Sequence, residues 1–387
     1  MPRIDTLDFI RGLAITGILL LNIVAFGQPH AAYLNPAWQG AASLPDALTW
    51  AVLDLLAQLK FLSLFALLFG AGLQMLLPRG KRWLQARLTW LVLLGLLHGI
   101  FFWEGDILFD YGLIGLVAWR MIRDVPSSRQ LFNTGVLLFL VGTAVLLLLG
   151  LSSGHQANSA WQPGFAEVQY ETLWKTQGGW QAVQNRLQLF SSGLLGLAAQ
   201  YGWQLAGLMM IGGALMRSGW LRGSWGIQHY RRAAALLIPL AWIINIPAIY
   251  LQWATGWDYR WSAFFLQVPR ELSAPLQAIG YAALCFGFWP TLAQFKITRA
   301  VSCVGRMALS NYLLQTLLCT LLFNVFGWFN TLSRLQLLAV VPLVWAINLL
   351  FSVLWLRYFR QGPVEWLWRR LTVLGGGKPS ETASGGR

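Results

Sequence analysis

The stretch LFNTGVLLFLVGTAVLLLLGL, residues 131–151, contains no charged side chain. As an α-helix it is about 30 Å long, which matches the hydrocarbon core of a bilayer. A backbone inside that core cannot bond to water, so it must satisfy its own amides and carbonyls as a helix. We therefore predict a transmembrane helix here.

Nine further apolar runs of comparable length occur along the chain. They cover residues 9–26, 50–77, 87–103, 107–122, 188–216, 233–252, 272–293, 301–325 and 336–356. Hydrophobic residues make up 57% of the 387 residues and charged residues only 11%, which is too apolar for a water-soluble protein. The sequence predicts an all-α, polytopic membrane helix bundle of about ten transmembrane helices, in contact with membrane lipid.

Most of the 28 Lys and Arg residues lie in alternate loops between these runs. They are concentrated at residues 3–11, 79–87, 120–129, 217–232, 296–306 and from 357 onward. Because positively charged loops stay on the cytoplasmic side, ten spans place both termini in the cytoplasm. The net charge of +14 is then explained by topology, and we expect no nucleic-acid partner.

The remaining segments divide the chain into a bundle and a tail. Residues 1–357 are predicted to form the transmembrane bundle, with an external loop at 152–187 that folds as a small cap. Residues 358–387 form a cytoplasmic tail that ends in a Gly- and Ser-rich, disordered stretch. Cys285, Cys303 and Cys319 show no paired spacing, so we expect neither a disulfide framework nor a metal site.

A cluster of ionisable residues falls at the predicted outer end of the third and fourth spans. His98 lies near the end of one run, the chain reverses at Gly105, and Asp106 and Asp110 lie one helical turn apart. Helices joined by so short a turn must pack together, so His98 can reach Asp106 or Asp110. A carboxylate that orients an imidazole favours a general base, although a purely structural His–Asp bond fits the same pattern.

The first span carries a second set of polar residues. Asp5, Asp8 and Arg11 recur at helical spacing and suit either an interfacial ion pair or a site for an anionic ligand. Asn22 lies three turns deeper, where it either bonds to another helix or lines a cavity.

Other polar residues within the spans are predicted to hold helices together. This group comprises Asp54, Gln58, Lys60, Gln200, Gln204, Asn311 and Gln315, with Arg270 and Glu271 as an interfacial ion pair. The small residues Gly70 to Gly72 and Gly207 to Gly213 are predicted to allow close helix contact.

Three motifs stand out along the chain: DTLDFIRGLA at residues 5–14 followed by Asn22, EGDIL at 104–108 before Tyr111, and GRMALSNY at 305–312. With them the sequence resembles the YeiB family of bacterial inner-membrane proteins, over essentially the whole chain. The resemblance implies a multi-pass protein of the bacterial inner membrane, with an N-terminal half at 1–216 and a C-terminal half at 217–357.

The first-helix pattern Leu-Asp-x-x-Arg-Gly is also similar to that of the transmembrane acyltransferase superfamily. That group includes lysosomal heparan-alpha-glucosaminide N-acetyltransferase and bacterial sugar O-acyltransferases, which move an acyl group from cytoplasmic acyl-CoA to a sugar on the far side. Arg11 matches the Arg of the motif. Asn22 matches a position held by His in the O-acyltransferases and by Asn in the lysosomal enzyme, so the base must lie elsewhere, and we choose His98 over His30.

The resulting hypothesis is a membrane acyltransferase with acyl-CoA as donor, a small-molecule acceptor and no metal. Its catalytic residues are His98, Asp106, Asp110 and Asn22. Its donor-binding residues are Arg11, Arg79, Lys81, Arg82, Arg87, Arg231 and Arg232, whose cations suit CoA phosphates. The alternatives are a transporter that uses His98, Asp106, Asp110 and Arg11, or a non-catalytic, lipid-binding bundle. The oligomeric state is left open.

Overall fold

The computed structural model describes residues 4–377, and every regular element within them is a helix. The α-helices are α1 (Asp5–Gly27), α2 (Leu44–Leu56), α3 (Lys60–Leu76), α4 (Lys81–Phe101), α5 (Leu108–Asp124), α6 (Ser128–Ser152), α7 (Phe165–Gln177), α8 (Gly179–Gly196), α9 (Gly202–Arg217), α10 (Ile227–Ala254), α11 (Gln267–Gly287), α12 (Trp289–Leu292), α13 (Lys296–Arg306), α14 (Ala308–Thr320), α15 (Arg334–Tyr358) and α16 (Pro363–Gly376). Short 3₁₀ and π-helical turns link some of them. The predicted all-α class is confirmed.

Eight helical segments within these residues are long and apolar enough to cross a bilayer. They are Asp5–Gly27, Leu44–Arg79, Lys81–Phe101, Ser128–Ser152, Gly179–Arg217, Ile227–Ala254, Ala308–Val325 and Arg334–Tyr358. The other two predicted spans correspond to α5, which has 17 residues, and α11, which is less apolar. Both pack along longer spans, α5 against α4 and α9, and α11 against α10. The chain is a multi-pass membrane protein.

Hydrogen bonds join basic segments of the chain in pairs. Arg217, at the end of α9, donates a 2.6 Å hydrogen bond to the carbonyl of Val125 in the α5–α6 loop. Arg306, at the end of α13, donates to the carbonyl of Arg360 after α15. This arrangement agrees with alternate loops on one side. Arg3, which begins the first predicted basic segment, lies outside the described residues.

Two of the predicted spans are interrupted. The run at 50–77 breaks at Ala57–Leu59, where Leu59 adopts φ 63° in the left-handed region. The Nζ of Lys60 donates to the carbonyl of Asp54 at 2.7 Å, and so satisfies an acceptor that the break frees. The run at 301–325 breaks at Met307, so that α13 is a separate amphipathic helix and the span begins at Ala308.

Small residues allow close packing of α3 against α9, as predicted. A Cβ atom at Gly70 would lie 1.8 Å from the carbonyl oxygen of Met209. A Cβ atom at Gly212 would lie 1.9 Å from the carbonyl oxygen of Leu67. Neither position can carry a side chain unless the helices separate.

Two helices pack on the ends of the bundle. Helix α7 lies in the predicted external loop and is joined to the α4–α5 turn by an ion pair between Lys175 and Glu104, at 2.6 Å. Helix α16 lies in the predicted tail and packs on α4, where the Arg87 guanidinium is 3.5 Å from the centre of the Trp368 ring. The tail is therefore helical as far as Gly376, and the rest of the predicted disordered stretch, 378–387, lies outside the described residues.

Candidate functional site

His98 lies in the last turn of α4 and is buried. Its Nδ1 is 2.7 Å from Oδ1 of Asp106, in the turn before α5. The second oxygen of Asp106 accepts the backbone amide of Phe109 at 2.9 Å, which fixes the carboxylate at the start of α5. The structure therefore brings His98 and Asp106 together as the short turn requires.

The other ring nitrogen of His98 contacts a residue that the sequence analysis did not identify. Nε2 is 3.1 Å from the Oγ1 of Thr316 in α14. An ionised carboxylate has no proton to donate, so we assign the ring proton to Nδ1 and the lone pair to Nε2. Asp106, His98 and Thr316 then form a continuous chain of carboxylate, imidazole and hydroxyl. Local sequence spacing gives no signal for Thr316, because it is 218 positions from His98.

Aromatic rings enclose the Asp106, His98 and Thr316 side chains. The Tyr312 ring lies 5.5 Å from the His98 ring, centre to centre, and its hydroxyl accepts the amide of Ile107. Trp103 is buried against His98 and stacks on Phe26 of α1 at 4.1 Å. Apolar walls of this kind exclude water and strengthen the hydrogen bonds inside.

Asp110 does not bond to His98. It follows Asp106 by four positions, lies in the first turn of α5 and is partly buried. Of the two carboxylates predicted as partners of the imidazole, the structure pairs Asp106 with it and leaves Asp110 beside the pair.

Asn22 is buried on α1, one turn before Phe26 and on the same face. Because Phe26 stacks on Trp103, this face of α1 is turned towards the His98 cluster. Gln315, next to Thr316 on α14, donates to the carbonyl of Ile15 on α1. Helix α14 therefore contacts both His98 and α1, the helix that carries Asn22. No hydrogen bond joins Asn22 to His98 directly.

Arg11 lies at the opposite end of the bundle. It donates to Asp8 at 2.8 Å. It precedes Phe26 by 15 positions, or about 22 Å along α1. The transporter hypothesis grouped Arg11 with His98, Asp106 and Asp110. The structure does not bring Arg11 together with these three residues.

The other six predicted donor-binding cations fall into two groups. The exposed group consists of Arg79, Lys81, Arg82 and Arg232. Arg87 instead packs on Trp368, and Arg231 donates to the carbonyl of Gly287 at 3.0 Å. These two guanidiniums bind the bundle itself and are less accessible to a phosphate.

A second polar cluster lies among residues predicted to be packing contacts. Arg270 of α11 forms a 2.5 Å ion pair with Asp54 of α2, and both side chains are 1% exposed. Asn245 of α10 donates to the other oxygen of Asp54 at 2.9 Å. Arg270 is therefore paired within the bundle core, and the predicted interfacial pair with its neighbour Glu271 is wrong. The sequence signal was two charged residues at the start of an apolar run.

Glu271 lies at the wall of a cavity of about 220 Å³ between α3, α5, α9 and α11. Its carboxylate accepts hydrogen bonds from Gln204 at 2.5 Å and Gln200 at 3.3 Å. The polar lining consists of Tyr33, Gln58, Ser63, Tyr111, Gln200, Tyr201, Gln204, Gln267, Arg270 and Glu271. His98 and Asp106 do not line it, so the two polar sites are separate.

Fold and sites together define a multi-pass, all-α membrane protein with two buried polar clusters. A family described as "Protein of unknown function (DUF418)" matches residues 215–375. The chain is 63% identical to the uncharacterized protein YeiB of Escherichia coli (strain K12), over 97% of this chain and 98% of the relative. It is 27% identical to the uncharacterized protein YxaH of Bacillus subtilis (strain 168), over 96% of this chain and 94% of that protein. The chain belongs to the YeiB family.

Proposed function

We propose that this protein is an acyltransferase of the bacterial inner membrane. In this proposal it moves an acyl group from cytoplasmic acyl-CoA to a hydroxyl or amine of a small molecule at the external side. The observation that carries the proposal is the buried series of hydrogen bonds that joins Asp106, His98 and Thr316. In acyl-transfer enzymes on unrelated folds, a carboxylate and an imidazole in this order activate a hydroxyl.

His98 acts as the general base. The acceptor replaces the Thr316 hydroxyl at Nε2, and Nε2 removes its proton as the acceptor oxygen or nitrogen attacks the thioester carbonyl. The carbon–sulfur bond then breaks, the proton passes from Nε2 to the CoA thiolate, and the new ester or amide leaves. Asp106 stabilises the imidazolium, and Asn22 donates to the carbonyl oxygen as charge develops there.

The donor enters from the end that carries the exposed cations. Arg79, Lys81 and Arg82 neutralise the CoA phosphates in this proposal. Lys81 and His98 are 17 positions apart, or about 26 Å along α4. The thioester arm must therefore run along most of this helix to bring its carbonyl to Nε2.

The first experiment is binding of acetyl-CoA, against free CoA and ATP, to the purified, detergent-solubilised chain. Saturable acetyl-CoA binding that is lost when Arg79, Lys81 and Arg82 are changed to Glu supports the proposal. The control changes two exposed cations of α13, Lys296 and Arg299, to Glu and should leave binding intact. If folded protein binds none of these nucleotides, the donor is not an acyl-CoA.

A second test separates binding from chemistry. His98→Gln should leave acetyl-CoA binding unchanged and lower its acceptor-dependent consumption by about 10²-fold or more, because the base is lost. A His98→Gln chain with the wild-type rate would remove His98 from the mechanism.

Transport of a small solute is the second candidate, and one observation favours it. The break at Ala57–Leu59 contributes Gln58 and Leu59 to the wall of the polar cavity, and interrupted helices beside a cavity are typical of transporter substrate sites. Flux of labelled solutes into proteoliposomes, without acyl-CoA, would favour this function over acyl transfer.

A further inference from the structure

The carboxylate of Glu271 is buried without a cationic partner. Both of its oxygens accept from neutral amides, those of Gln200 and Gln204. Within residues 4–377 no Lys, Arg or His forms an ion pair with it. A carboxylate taken out of water normally needs such a partner, so the cavity wall offers an acceptor for a positively charged group.

Arg270 supplies the opposite charge in the same cavity. One of its terminal nitrogens binds Asp54 and Gln252. The buried Nε has no hydrogen-bond partner in the described part of the chain. Because an unpaired buried donor is costly, the guanidinium retains capacity to bind an acceptor that enters the cavity.

The remaining walls limit the size and character of an occupant. The cavity volume of about 220 Å³ is below the ~300–1,000 Å³ of drug-sized pockets, so a nucleotide does not fit. Tyr33, Tyr111 and Tyr201 provide aromatic surface, which is favourable for an ammonium group. Gln58 from the helix break and Gln200 from the π-helical turn add neutral hydrogen-bonding groups.

We infer that this cavity is a binding site for a small zwitterion of free amino-acid size. Its anionic group binds the guanidinium of Arg270, and its ammonium binds the carboxylate of Glu271. A simple anion would meet the carboxylate of Glu271, and a simple cation would leave the unpaired Nε of Arg270 without an acceptor, so a zwitterion satisfies two groups that neither ion satisfies alone. Binding here needs neither His98 nor acyl-CoA, so the inference is independent of the acyl transfer proposed above.

The test is isothermal titration calorimetry on the purified full chain in lipid nanodiscs. The zwitterionic probes are glycine, L-alanine, L-proline and glycine betaine, and the comparison compounds are propionate, propylamine and glycerol. We expect saturable binding of at least one zwitterion, at least about tenfold tighter than binding of any comparison compound.

Two variants examine the carboxylate of Glu271 and the guanidinium of Arg270 with little change in shape. Glu271→Gln and Arg270→Lys should each weaken zwitterion binding about tenfold or more. Arg270→Lys keeps a cation beside Asp54, so no buried carboxylate is left alone. Glu167→Gln, the same chemical change at an exposed residue of α7, should bind as the wild type does.

Three outcomes would overturn the inference. They are no zwitterion binding by folded wild-type protein, equal binding of propionate, propylamine or glycerol, and wild-type affinity in Glu271→Gln. Acetyl-CoA binding measured on the same Glu271→Gln sample should be unchanged, which keeps failure of this site distinct from failure of the donor site.

Discussion

The tautomer of His98 is set by a single contact, that between its Nδ1 and Asp106. In Asp106→Asn the amide can donate to Nδ1, which moves the ring proton to Nε2 and removes the basic lone pair. We expect acetyl-CoA consumption with an acceptor to fall by about 10²- to 10⁴-fold. The amide of Phe109 keeps an oxygen acceptor, so the melting temperature should change little.

Asp258, in the turn that follows α10, provides a matched control for this substitution. Asp258 is exposed and accepts the amide of Trp261 at 3.1 Å, as Asp106 accepts that of Phe109, but no described histidine contacts it. Asp258→Asn should therefore keep the wild-type rate. If both variants keep that rate, Asp106 does not orient a catalytic base.

The ion pair between Glu104 and Lys175 should make the docking of α7 depend on pH. Burial raises the pKa of Glu104, but the charges of Lys175 and Arg186 outweigh it and hold the pKa below the ordinary 4.5. A carboxyl with a depressed pKa contributes stability that is present above 4.5 and lost as pH falls through the lower, folded-state value. We expect hydrogen–deuterium exchange in residues 165–177 to be slow at pH 6 and to rise below about pH 4, relative to the intrinsic rate.

Lys175 sets the corresponding limit at high pH. Burial lowers the pKa of Lys175, but the charges of Glu104 and Glu171 outweigh it, so the net pKa lies above 10.5 and the pair persists through neutral pH. Glu104→Gln should loosen α7 at every pH and weaken the acid dependence, since removing one partner of a buried pair costs ~3–5 kcal/mol. Acid dependence as large as that of the wild type would contradict the assignment to Glu104.

At the level of elements, the contact between α3 and α9 gives opposite predictions for two glycines two positions apart. Gly70→Ala forces a methyl group against the backbone of Met209 and should destabilise the bundle by ~1–3 kcal/mol or more. Gly72→Ala meets nothing within 4 Å, and should be neutral or stabilising by up to ~1 kcal/mol through helix propensity.

Thermal unfolding of the two variants in the same detergent measures this difference. Each substitution adds one methyl group to the same helix, so a lower melting temperature for Gly70→Ala alone isolates the packing effect. Equal melting temperatures would mean that α3 and α9 do not touch at Gly70.

Element breaks were the part of the fold that hydropathy could not predict. The interruption at Ala57–Leu59 lies inside a run whose hydropathy predicts one span in spite of Asp54, Gln58 and Lys60, and its cause is tertiary. Lys60 binds the freed carbonyl of Asp54, and the carboxylate of Asp54 pairs with Arg270, more than 200 positions away. Local propensity contains no information about that partner.

For the molecule as a whole, the sequence predicted the class and the repeated crossing of the membrane, because both depend on local apolar length. It also predicted the pairing of His98 with a nearby carboxylate, because the turn at Gly105 leaves the two helices no other arrangement. Thr316 and the cavity could not be predicted, because each requires helices that are distant in sequence to meet. The catalytic and donor-binding roles stay predictions.

Orientation in the membrane is the remaining prediction at this scale, and two exposed serines test it. Ser159 lies between α6 and α7, on the predicted external side, and Ser224 lies between α9 and α10, on the predicted cytoplasmic side. Each is changed to Cys in a chain whose native Cys285, Cys303 and Cys319 are Ala. We expect a membrane-impermeant maleimide to label Ser159→Cys in intact spheroplasts and Ser224→Cys only after permeabilisation, because the basic loops stay in the cytoplasm.

The reverse labelling pattern would have consequences for the mechanism. It would place Arg79, Lys81 and Arg82 outside the cell, where acyl-CoA is absent, and His98 at the cytoplasmic end. Acyl transfer from a cytoplasmic donor to an external acceptor would then be untenable in the proposed direction. The expected pattern instead leaves His98 and Asp106 at the external end of the bundle, the side from which the proposed acceptor has to enter.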